Sequence, residues 1–528
     1  MSNRKINTAL PILFSIAVIL GMFVGYKLHS NMPMTKSFFS SSGSNRLNEV
    51  MQLVKKRYVD QVNVDSITDN AINKVLESLD PHSVFIPASD LLAVNENLEG
   101  HFEGIGVEFN IFDDTVHILS VLQNGPAKIS GLMVGDKILM VNDSISTKVK
   151  DTEKFKSWVK GPGGTKVSLK IMRENKIITL QVIRGKIPIT SLDASYMIDK
   201  DHGYIKLNRF SANTYAEFIE ALERLKKEGM KSLVLDLRDN GGGILEEAID
   251  IVDEFLGNNL MIVYTEGTNN PRKEYKAKRP GIFETGKLVI LMNENSASAS
   301  EVIAGAIQDH DRGQIIGRRS FGKGLVQEQL YLSDGSALRL TTARYYTPLG
   351  RSIQKPYTNG VESYDMELIN RIHNKDSSKD SAISTNKAAF KTAKGKTLYG
   401  GGGITPDEYI PFDSTLFDTS INKLYVNNAI GNFSYRYFLS QRQILLQYKS
   451  IEAYISNYEV PDKAVEDLIK FSNNPGLQYR LLTKTSVNFL KRRIKAMMAR
   501  IKWNESGYVQ VLNDGDENIS RGLVYLRD

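Results

Sequence analysis

Residues 233–243 read LVLDLRDNGGG. They begin with an apolar run of strand length and end in three glycines, just before a predicted helix at residues 245–255. Glycine permits positive φ and lets backbone N–H groups approach another group closely. Such amides could form half of a site that stabilises an anion. Taken alone, however, the stretch is better explained as a simple tight turn.

Strands and helices alternate on both sides of this stretch, from about residue 188 to about residue 356. A second apolar strand is expected at residues 288–292, and a helix follows it at residues 299–308. This repeated order predicts a largely parallel sheet with helices packed on it.

The regions that flank this core have different patterns. Residues 46–98 carry apolar side chains at helical spacing, and residues 415–502 are also predominantly helical. Residues 104–184 read as short strands separated by Gly and Asp, which predicts a small β-rich module. A mobile excursion is expected at about residues 365–398, because this segment is rich in Lys, Ser, Asp and Ala.

Length and composition limit the class of protein. The 528 residues are several times the usual domain length and predict two to four folded units. With 41% hydrophobic and 24% charged residues, the chain is neither wholly disordered nor fibrous. A formal net charge of +7 is a mild basic excess, so no nucleic-acid partner is expected. Because cysteine is absent, disulfides, thiolate zinc sites, Fe–S clusters and a cysteine nucleophile are excluded.

The N-terminus predicts a membrane partner. Residues 6–26 carry no charge, and Arg4 and Lys5 precede them. About 20 apolar residues span a bilayer as a helix, and basic residues favour a cytoplasmic N-terminal end. We therefore expect a single-pass anchor in the cell membrane, with the rest of the chain exported to the periplasmic side. A cleaved signal peptide is the alternative, although no clear A-x-A site follows.

Two further segments of the predicted core carry reactive side chains. Residues 295–301 read NSASASE at a helix start, where small neighbours of Ser298 leave room for a substrate. An N-cap serine cluster is the ordinary explanation of such a run. Residues 320–327 read SFGKGLVQ, which places Lys323 between two glycines and Gln327 four residues later. A surface lysine or a phosphate contact is the ordinary explanation here, although the incomplete Walker pattern disfavours nucleotide binding.

Together these segments predict a Ser-Lys dyad. A serine hydroxyl is a poor nucleophile unless a neighbour takes its proton, and a lysine can do so only when it is neutral. Burial lowers a lysine pKa by as much as ~3–5 units. A decrease of ~3 units costs roughly 4 kcal/mol, so the fold must hold Lys323 in place. Gln327, one turn further if the segment is helical, could orient the amine.

Other chemistries are less well supported. A Ser-His-Asp triad would need His310, which follows the predicted helix on the far side from Ser298. The histidines are scattered and no H-E-x-x-H occurs, so a metalloprotease is not expected. Ser296 and Ser300 remain candidate nucleophiles by chemistry alone.

At these residues the sequence resembles the carboxyl-terminal processing peptidases, a serine-lysine protease family whose members contain a PDZ domain. The resemblance covers about residues 46–410, and its motifs keep their order and approximate spacing. The matching segments are 79–83 (LDPHS), 235–242, 295–301, 321–327, 346–354 (YTPLGRSIQ) and 402–407 (GGITPD).

Residue by residue, the resemblance implies Ser298 as the nucleophile, Lys323 as the general base and Gln327 as its support. It also implies that backbone N–H groups of Ala299 and of a glycine in the 241–243 turn, with Gly242 favoured, stabilise the oxyanion. No metal or organic cofactor is implied.

The segment 104–109 resembles the loop of a PDZ domain that binds the terminal carboxylate of a peptide. The resemblance assigns this contact to Gly104, Ile105, Gly106 and Val107. The next strand would pair with the peptide, and a pocket would take its apolar last residue. Proteins with unstructured C-terminal tails are therefore the expected partners, and an adaptor or a homo-oligomer is left open.

The predicted fold class is α/β and multidomain: an N-terminal helical region, a small β-rich PDZ-like domain, an α/β protease core with a largely parallel sheet, and a helical C-terminal region. The expected boundaries are 1–30 for the anchor, 31–45 for a linker, 46–100, 101–186, 187–414 and 415–528. The predicted function is a serine endopeptidase that cleaves exported proteins at or near their C-termini. The alternative is a non-catalytic scaffold that binds tails through the PDZ-like module, and the intact reactive residues argue against it.

Overall fold

The computed structural model describes most of the chain. The described residues are 18, 20–22, 44–112, 114–146, 151–373, 388–412, 419–474 and 476–528. Within these ranges, no helix combines the length and the apolar character needed to cross a bilayer. The predicted anchor at residues 6–26 lies outside the described residues, apart from residues 18 and 20–22. Residues 31–43 of the predicted linker also lie outside them.

The chain divides into two units within helix α2 (Val64–Glu77). The first unit also contains helix α1 (Ser44–Arg57). The second unit continues from the end of α2 with strand β1 (Val84–Ile86) and helix α3 (Ala88–Glu99). All elements described below belong to this second unit.

Antiparallel strands build the module that follows α3. The elements are β2 (His101–Gly104), β3 (Val107–Phe112), β4 (Thr115–Val121), α4 (Pro126–Ile129), β5 (Lys137–Val141), β6 (Ser144–Ile145), α5 (Thr152–Val159), β7 (Lys166–Arg173), β8 (Lys176–Ile183) and β9 (Gly185–Pro188). One sheet has the order β3-β4-β5-β7-β8, with β6 beside β5, and β2 pairs separately with β9. Ile118, Ile138 and Leu169 lie fully buried in its core, so the alternating pattern of the sequence marks one inward face.

A six-stranded sheet forms the centre of the next region. Its strands, in spatial order, are β10 (Leu192–Met197), β11 (His202–Leu207), β12 (Ser232–Asp236), β15 (Leu288–Met292), β16 (Gln314–Gly317) and β21 (Glu408–Tyr409). Every neighbouring pair is parallel except β10 with β11. Helices α6 (Thr214–Lys227), α7 (Leu245–Asp253) and α8 (Ala299–Asp309) pack against it. The predicted largely parallel sheet is confirmed.

A second, antiparallel sheet adjoins this centre, and the sequence did not predict it. It contains β1 together with β13 (Met261–Glu266), β14 (Lys273–Lys276), β17 (Leu325–Tyr331) and β18 (Ala337–Tyr346). The long strand β18 pairs with β1, β13 and β17. It therefore brings the segment before the PDZ-like module to the strand that carries Gln327.

The segment expected to be a mobile excursion is regular where it is described. It contains most of helix α9 (Val361–His373) and the paired strands β19 (Ala389–Lys391) and β20 (Thr397–Tyr399). Residues 374–387 lie outside the described residues. Ion pairs hold α9, among them those of Glu367 with Lys355 and Arg371. The expected mobility of the rest of the segment stays a prediction.

Six α-helices are described in the C-terminal region, and the first five of them share one hydrophobic cluster. They are α10 (Thr419–Val426), α11 (Ala429–Gln447), α12 (Ile451–Asn457), α13 (Asp462–Ser472), α14 (Lys484–Asn513) and α15 (Glu517–Arg527). Helix α11 also contacts the PDZ-like module, because the Tyr435 ring stacks on the Phe112 ring with 5.4 Å between centroids.

Alternate residues of the central strands point to opposite faces of the sheet. Leu233 and Leu235 of β12 pack with helices α6 to α8. Val234 of β12 and Val289 of β15 pack instead with residues of α14 and α15, such as Ile519. The C-terminal helices thus cover the second face of the core sheet, and the predicted α/β multidomain class is confirmed.

Candidate active site

Ser298 lies at the junction between strand β15 and helix α8. Its φ of 55° and ψ of −113° place it in a region that residues other than glycine rarely adopt. Such a conformation costs on the order of 1–3 kcal/mol and persists where surrounding contacts hold it. Here the glycine turn supplies the contact, since a Cβ on Gly242 would lie 2.7 Å from the Ser298 Cβ. Only a glycine allows the two turns to approach this closely.

The two other serines of this junction are buried. The Ser296 hydroxyl donates to the Leu237 carbonyl at 2.7 Å, and the Ser300 hydroxyl donates to the Asn240 carbonyl at 2.9 Å. Both residues have 0% exposure, whereas Ser298 is partly exposed. Of the three candidates, Ser298 is therefore the one that a substrate can reach.

Glu301 joins the Ser298 turn to the loop of Lys323. Its Oε2 accepts the N–H of Ser298 at 2.8 Å and that of Lys323 at 2.9 Å. Its Oε1 accepts the N–H of Gly322 at 2.8 Å and the hydroxyl of Ser320 at 2.5 Å. Burial raises the pKa of Glu301 to about 7, against the effect of these hydrogen bonds. One carboxylate oxygen thus fixes the main chains of Ser298 and Lys323 beside each other.

The Lys323 amine lies in a partly buried position and bonds Gln327. Nζ donates to Gln327 Oε1 at 2.9 Å. Burial lowers the pKa of Lys323, and Arg339 lowers it further, whereas Asp80 and Glu301 act in the opposite direction. A lowered pKa is what a lysine needs in order to accept a proton from a hydroxyl.

Gln327 lies on strand β17, so the segment is not helical here, and the glutamine is not one helical turn beyond Lys323. It sits at a bulge where β17 changes register against β18, and its Nε2 donates to the His82 carbonyl. The strand is part of a hairpin, and its pairing partner lies further along the chain. The local pattern of residues 320–327 therefore could not show that Gln327 lies on a strand.

Tyr345 also holds the loop of Lys323. Its phenol donates to the Lys323 carbonyl. Among the hydrogen bonds of the described residues, none joins Lys323 Nζ directly to Ser298 Oγ. In this conformation the amine donates to Gln327 instead.

The two backbone N–H groups expected to stabilise the oxyanion differ in whether they already have a hydrogen-bond partner in this conformation. No hydrogen bond of the described chain uses the Ala299 N–H, which lies at the positive end of the α8 dipole. The Gly242 N–H, in contrast, donates to Asn240 Oδ1 at 2.9 Å. Gly242 therefore does not offer its N–H to a substrate here, because the Asn240 side chain competes for it.

The histidine near this site is His82, not His310. His310 Nε2 bonds the Met261 carbonyl at 2.7 Å and takes no part in a triad. Burial lowers the pKa of His82 to about 4, and Lys323 lowers it as well. The LDPHS segment was the available signal for His82, but nothing local connects it to Lys323. No group of three or more His, Asp or Glu in the described part of the chain could hold a metal ion.

A groove of 510 Å³ runs along the loop Gly104–Val107 and helix α5. The carbonyls of Ile105 and Gly106 accept hydrogen bonds from the N–H groups of Ala127 and Leu122, which ties the loop to its module. No hydrogen bond between described residues uses the N–H groups of Ile105 or Gly106. All four loop residues singled out from the sequence line this groove.

The groove has an apolar floor and a charged rim. Phe102, Phe109 and Val159 contribute apolar surface. Helix α3 forms a further wall, where the Glu96 carboxylate pairs with Lys160 at 2.6 Å. This combination suits an apolar peptide end with a terminal carboxylate.

Comparison with known proteins connects this geometry to a family. The model described as Peptidase family S41 matches residues 201–368, and the PDZ domain model matches residues 104–183. A protein named carboxy-terminal-processing protease from Bartonella bacilliformis is 34% identical over 377 residues, which are 67% of this chain and 85% of that protein. The chain belongs to peptidase family S41.

Other relatives of this S41 peptidase carry similar names. Carboxy-terminal processing protease CtpA of Bacillus subtilis is 32% identical over 312 residues, covering 59% of this chain and 66% of that protein. The solved photosystem II D1 C-terminal processing protease is 31% identical, with a TM-score of 0.34, over 58% of this chain and 83% of that chain. Residues 420–504 match a family of unknown function. By its family and its named relatives this S41 peptidase is a serine-type enzyme, as the sequence predicted.

Proposed function

We propose that this S41 peptidase uses Ser298 as the nucleophile and Lys323 as the general base. The observation that carries the assignment is the shared oxygen of Glu301, which bonds the N–H groups of both residues. The lowered pKa of Lys323 supports it, because a neutral amine can take the hydroxyl proton.

The reaction proceeds through an acyl-enzyme. Ser298 Oγ bonds to the substrate carbonyl carbon while its proton passes to Lys323 Nζ. The oxyanion lies against the Ala299 N–H, and the 241–243 turn adds a donor once Asn240 releases the Gly242 N–H. When the C–N bond breaks, Lys323 returns the proton to the leaving amine. Water, deprotonated by Lys323, then bonds to the acyl carbon, and Lys323 returns that proton to Ser298 Oγ as the ester bond breaks.

The groove of the PDZ domain selects the substrate in this proposal. The N–H groups of Ile105 and Gly106 bind a terminal carboxylate, and the apolar floor takes the last side chain. The enzyme therefore acts as an endopeptidase on proteins with unstructured apolar C-terminal tails and cuts at or near those ends.

One experiment tests both the chemistry and the selection. A test protein that bears either an apolar or a charged tail is incubated with the wild type and with Ser298→Ala and Lys323→Ala variants. We expect the wild type to cleave the apolar-tailed protein faster and both variants to cleave neither. Wild-type rates in either variant would refute the catalytic assignment. Equal wild-type cleavage of the two tails would refute selection by the groove and leave the chemistry intact.

The location of the enzyme is a separate proposal. Residues 6–26 anchor it in the cell membrane, with the catalytic part on the periplasmic side, because an uncharged run follows Arg4 and Lys5. Carbonate extraction should leave the full-length chain in the membrane pellet. Release of a chain that lacks about the first 30 residues would indicate a cleaved signal peptide instead.

A further inference from the structure

The turn at residues 80–83, from the LDPHS segment, takes no part in the steps above. Asp80 Oδ1 accepts the N–H groups of His82 at 2.8 Å and Ser83 at 2.9 Å, and Asp80 Oδ2 accepts the Ser83 hydroxyl at 2.7 Å. Asp80 is 6% exposed and Ser83 is 4% exposed. A buried carboxylate with three such hydrogen bonds makes a rigid turn.

This turn is fixed in register with the hairpin that carries Gln327. Strand β1 begins directly after the turn and pairs with β18. The Ser83 hydroxyl accepts the Thr341 N–H at 3.1 Å, and Thr341 is the residue opposite Gln327 across the hairpin. This arrangement brings the His82 carbonyl to Gln327 Nε2.

We propose that the Asp80–Ser83 turn is a positioning element of the catalytic base, and that it decides which end of the Gln327 amide faces Lys323. A glutamine side chain has one acceptor end and one donor end. A carbonyl can only accept, so the His82 carbonyl bonds Nε2 and leaves Oε1 for the Lys323 amine. The reverse orientation would set two donors against each other. This inference rests on the proposed role of Lys323 as the base.

The turn also contributes charge. The charged groups that shift the pKa of Lys323 are Arg339 on β18, Glu301 on α8 and Asp80 on the turn. His82 is neutral, because its pKa is lowered to about 4. Burial raises the pKa of Asp80, but its hydrogen bonds outweigh burial and lower it, so Asp80 is ionised near neutral pH. Its negative charge favours the protonated amine. Removing that charge should therefore lower the pKa of Lys323.

Two variants separate position from charge. Ser83→Ala removes both hydrogen bonds of the hydroxyl and keeps the Asp80 charge, whereas Asp80→Asn keeps the shape and removes the charge. The tip of the same hairpin provides matched controls, because Asp334 accepts the N–H and the hydroxyl of Ser336 in an equivalent turn. Asp334→Asn and Ser336→Ala make the same chemical changes away from Gln327.

The readout is the rate constant for labelling of Ser298 by a fluorophosphonate, measured from pH 5 to pH 10. In this step Ser298 Oγ bonds to phosphorus, fluoride leaves, and the hydroxyl proton passes to Lys323. We expect Ser83→Ala to lower the plateau rate about tenfold, from the hydrogen bonds it loses. That loss should disappear in a Gln327→Ala background, because the turn acts through Gln327. Asp80→Asn should move the acid limb to lower pH, and both hairpin-tip controls should match the wild type.

The possible results distinguish the inference from the proposed function. If the wild type is not labelled at Ser298, the proposed function fails. If the wild type is labelled but Ser83→Ala behaves like Ser336→Ala, or keeps its full effect without Gln327, the positioning role is overturned. An acid limb that Asp80→Asn leaves in place would overturn the charge contribution of the turn. A rate constant is independent of the fraction of protein that folds, so partial misfolding of a variant does not mimic these results.

Discussion

Glu301→Gln is the substitution for which the structure makes the sharpest prediction. The carboxylate accepts four hydrogen bonds, two on each oxygen. A glutamine offers one acceptor oxygen, and its NH₂ group must face one pair of donors. The Ser320 hydroxyl already accepts the Ile404 N–H and has a second lone pair that can accept from the NH₂ group. The NH₂ group should therefore face the Ser320 side. This choice preserves the bridge between Ser298 and Lys323 and leaves the Gly322 N–H without an acceptor.

The size of the effect follows from that one lost acceptor. A buried N–H without a partner costs about 1–3 kcal/mol. For a region of this size, that cost lowers the midpoint of thermal unfolding by about 2–12 °C. Because the bridge survives, Glu301→Gln should keep measurable peptidase activity. Glu301→Ala removes the bridge as well and should lose far more of kcat than the glutamine variant.

Stability and activity should respond to pH in opposite ways. The folded pKa of Glu301 is about 7, against an ordinary value of 4.5, so the native state binds more protons between these pH values. The contribution of Glu301 to stability is therefore greatest at low pH and is lost as the pH rises to about 7, by at most about 3 kcal/mol. Glu301→Gln does not titrate there, so its deficit in stability relative to the wild type should be larger at pH 5 than at pH 8.

Activity should show the reverse trend. Protonation of Glu301 below about pH 7 turns one of its acceptors into a donor and loosens the site. The wild type should therefore lose its advantage in kcat over Glu301→Gln as the pH falls. Thermal melts and kcat measured on the same samples from pH 5 to pH 8 provide both quantities. A deficit in stability that does not change over this range would refute the titration of Glu301.

Two other substitutions test contacts outside the carboxylate. Gly242→Ala should lower kcat at least about tenfold, because φ is +94° and the added Cβ would lie 2.7 Å from the Ser298 Cβ. Gly241→Ala is the control: its Cβ would meet nothing within 4 Å, so this variant should retain wild-type kcat. Tyr435→Ala removes the ring that stacks on Phe112 and should destabilise the contact between α11 and the PDZ domain by about 3–5 kcal/mol. Limited proteolysis would detect this loss as faster cleavage of the PDZ domain. Tyr435→Phe keeps the ring and should remain as resistant as the wild type, and equal resistance of Tyr435→Ala would contradict the role of the stack.

The sequence predicted the parts of the fold that local pattern determines. Strand β15 was expected at residues 288–292, and the structure gives Leu288–Met292. Helix α8 was expected from residue 299, and it begins at Ala299. Both succeed because a buried parallel strand is a continuous apolar run and because small polar residues favour a helix start.

The site could be predicted only as a set of residue types. The bond from Gln327 to the His82 carbonyl joins segments that are far apart in the chain. The Asn240 side chain that occupies the Gly242 N–H depends on the shape of the turn. An N-cap cluster was the ordinary explanation of the NSASASE run. Glu301 does accept the Ser298 N–H, as a capping residue would. What the pattern could not show is that the same oxygen also accepts the Lys323 N–H.

The C-terminal helices follow from the requirement that a parallel sheet be covered on both faces. Helices α6 to α8 cover one face of the central sheet, and the side chains of the opposite face are equally apolar. Val234 and Val289 on that face are fully buried, and Gly522 lets α15 approach closely, since a Cβ there would lie 3.3 Å from a Val289 methyl group. Asp516, at the start of α15, pairs with Arg238 at 2.8 Å, next to the strand end that leads into the glycine turn. The region that matches a family of unknown function therefore leads into helices that cover the protease core, and one ion pair links them to the strand end before the glycine turn.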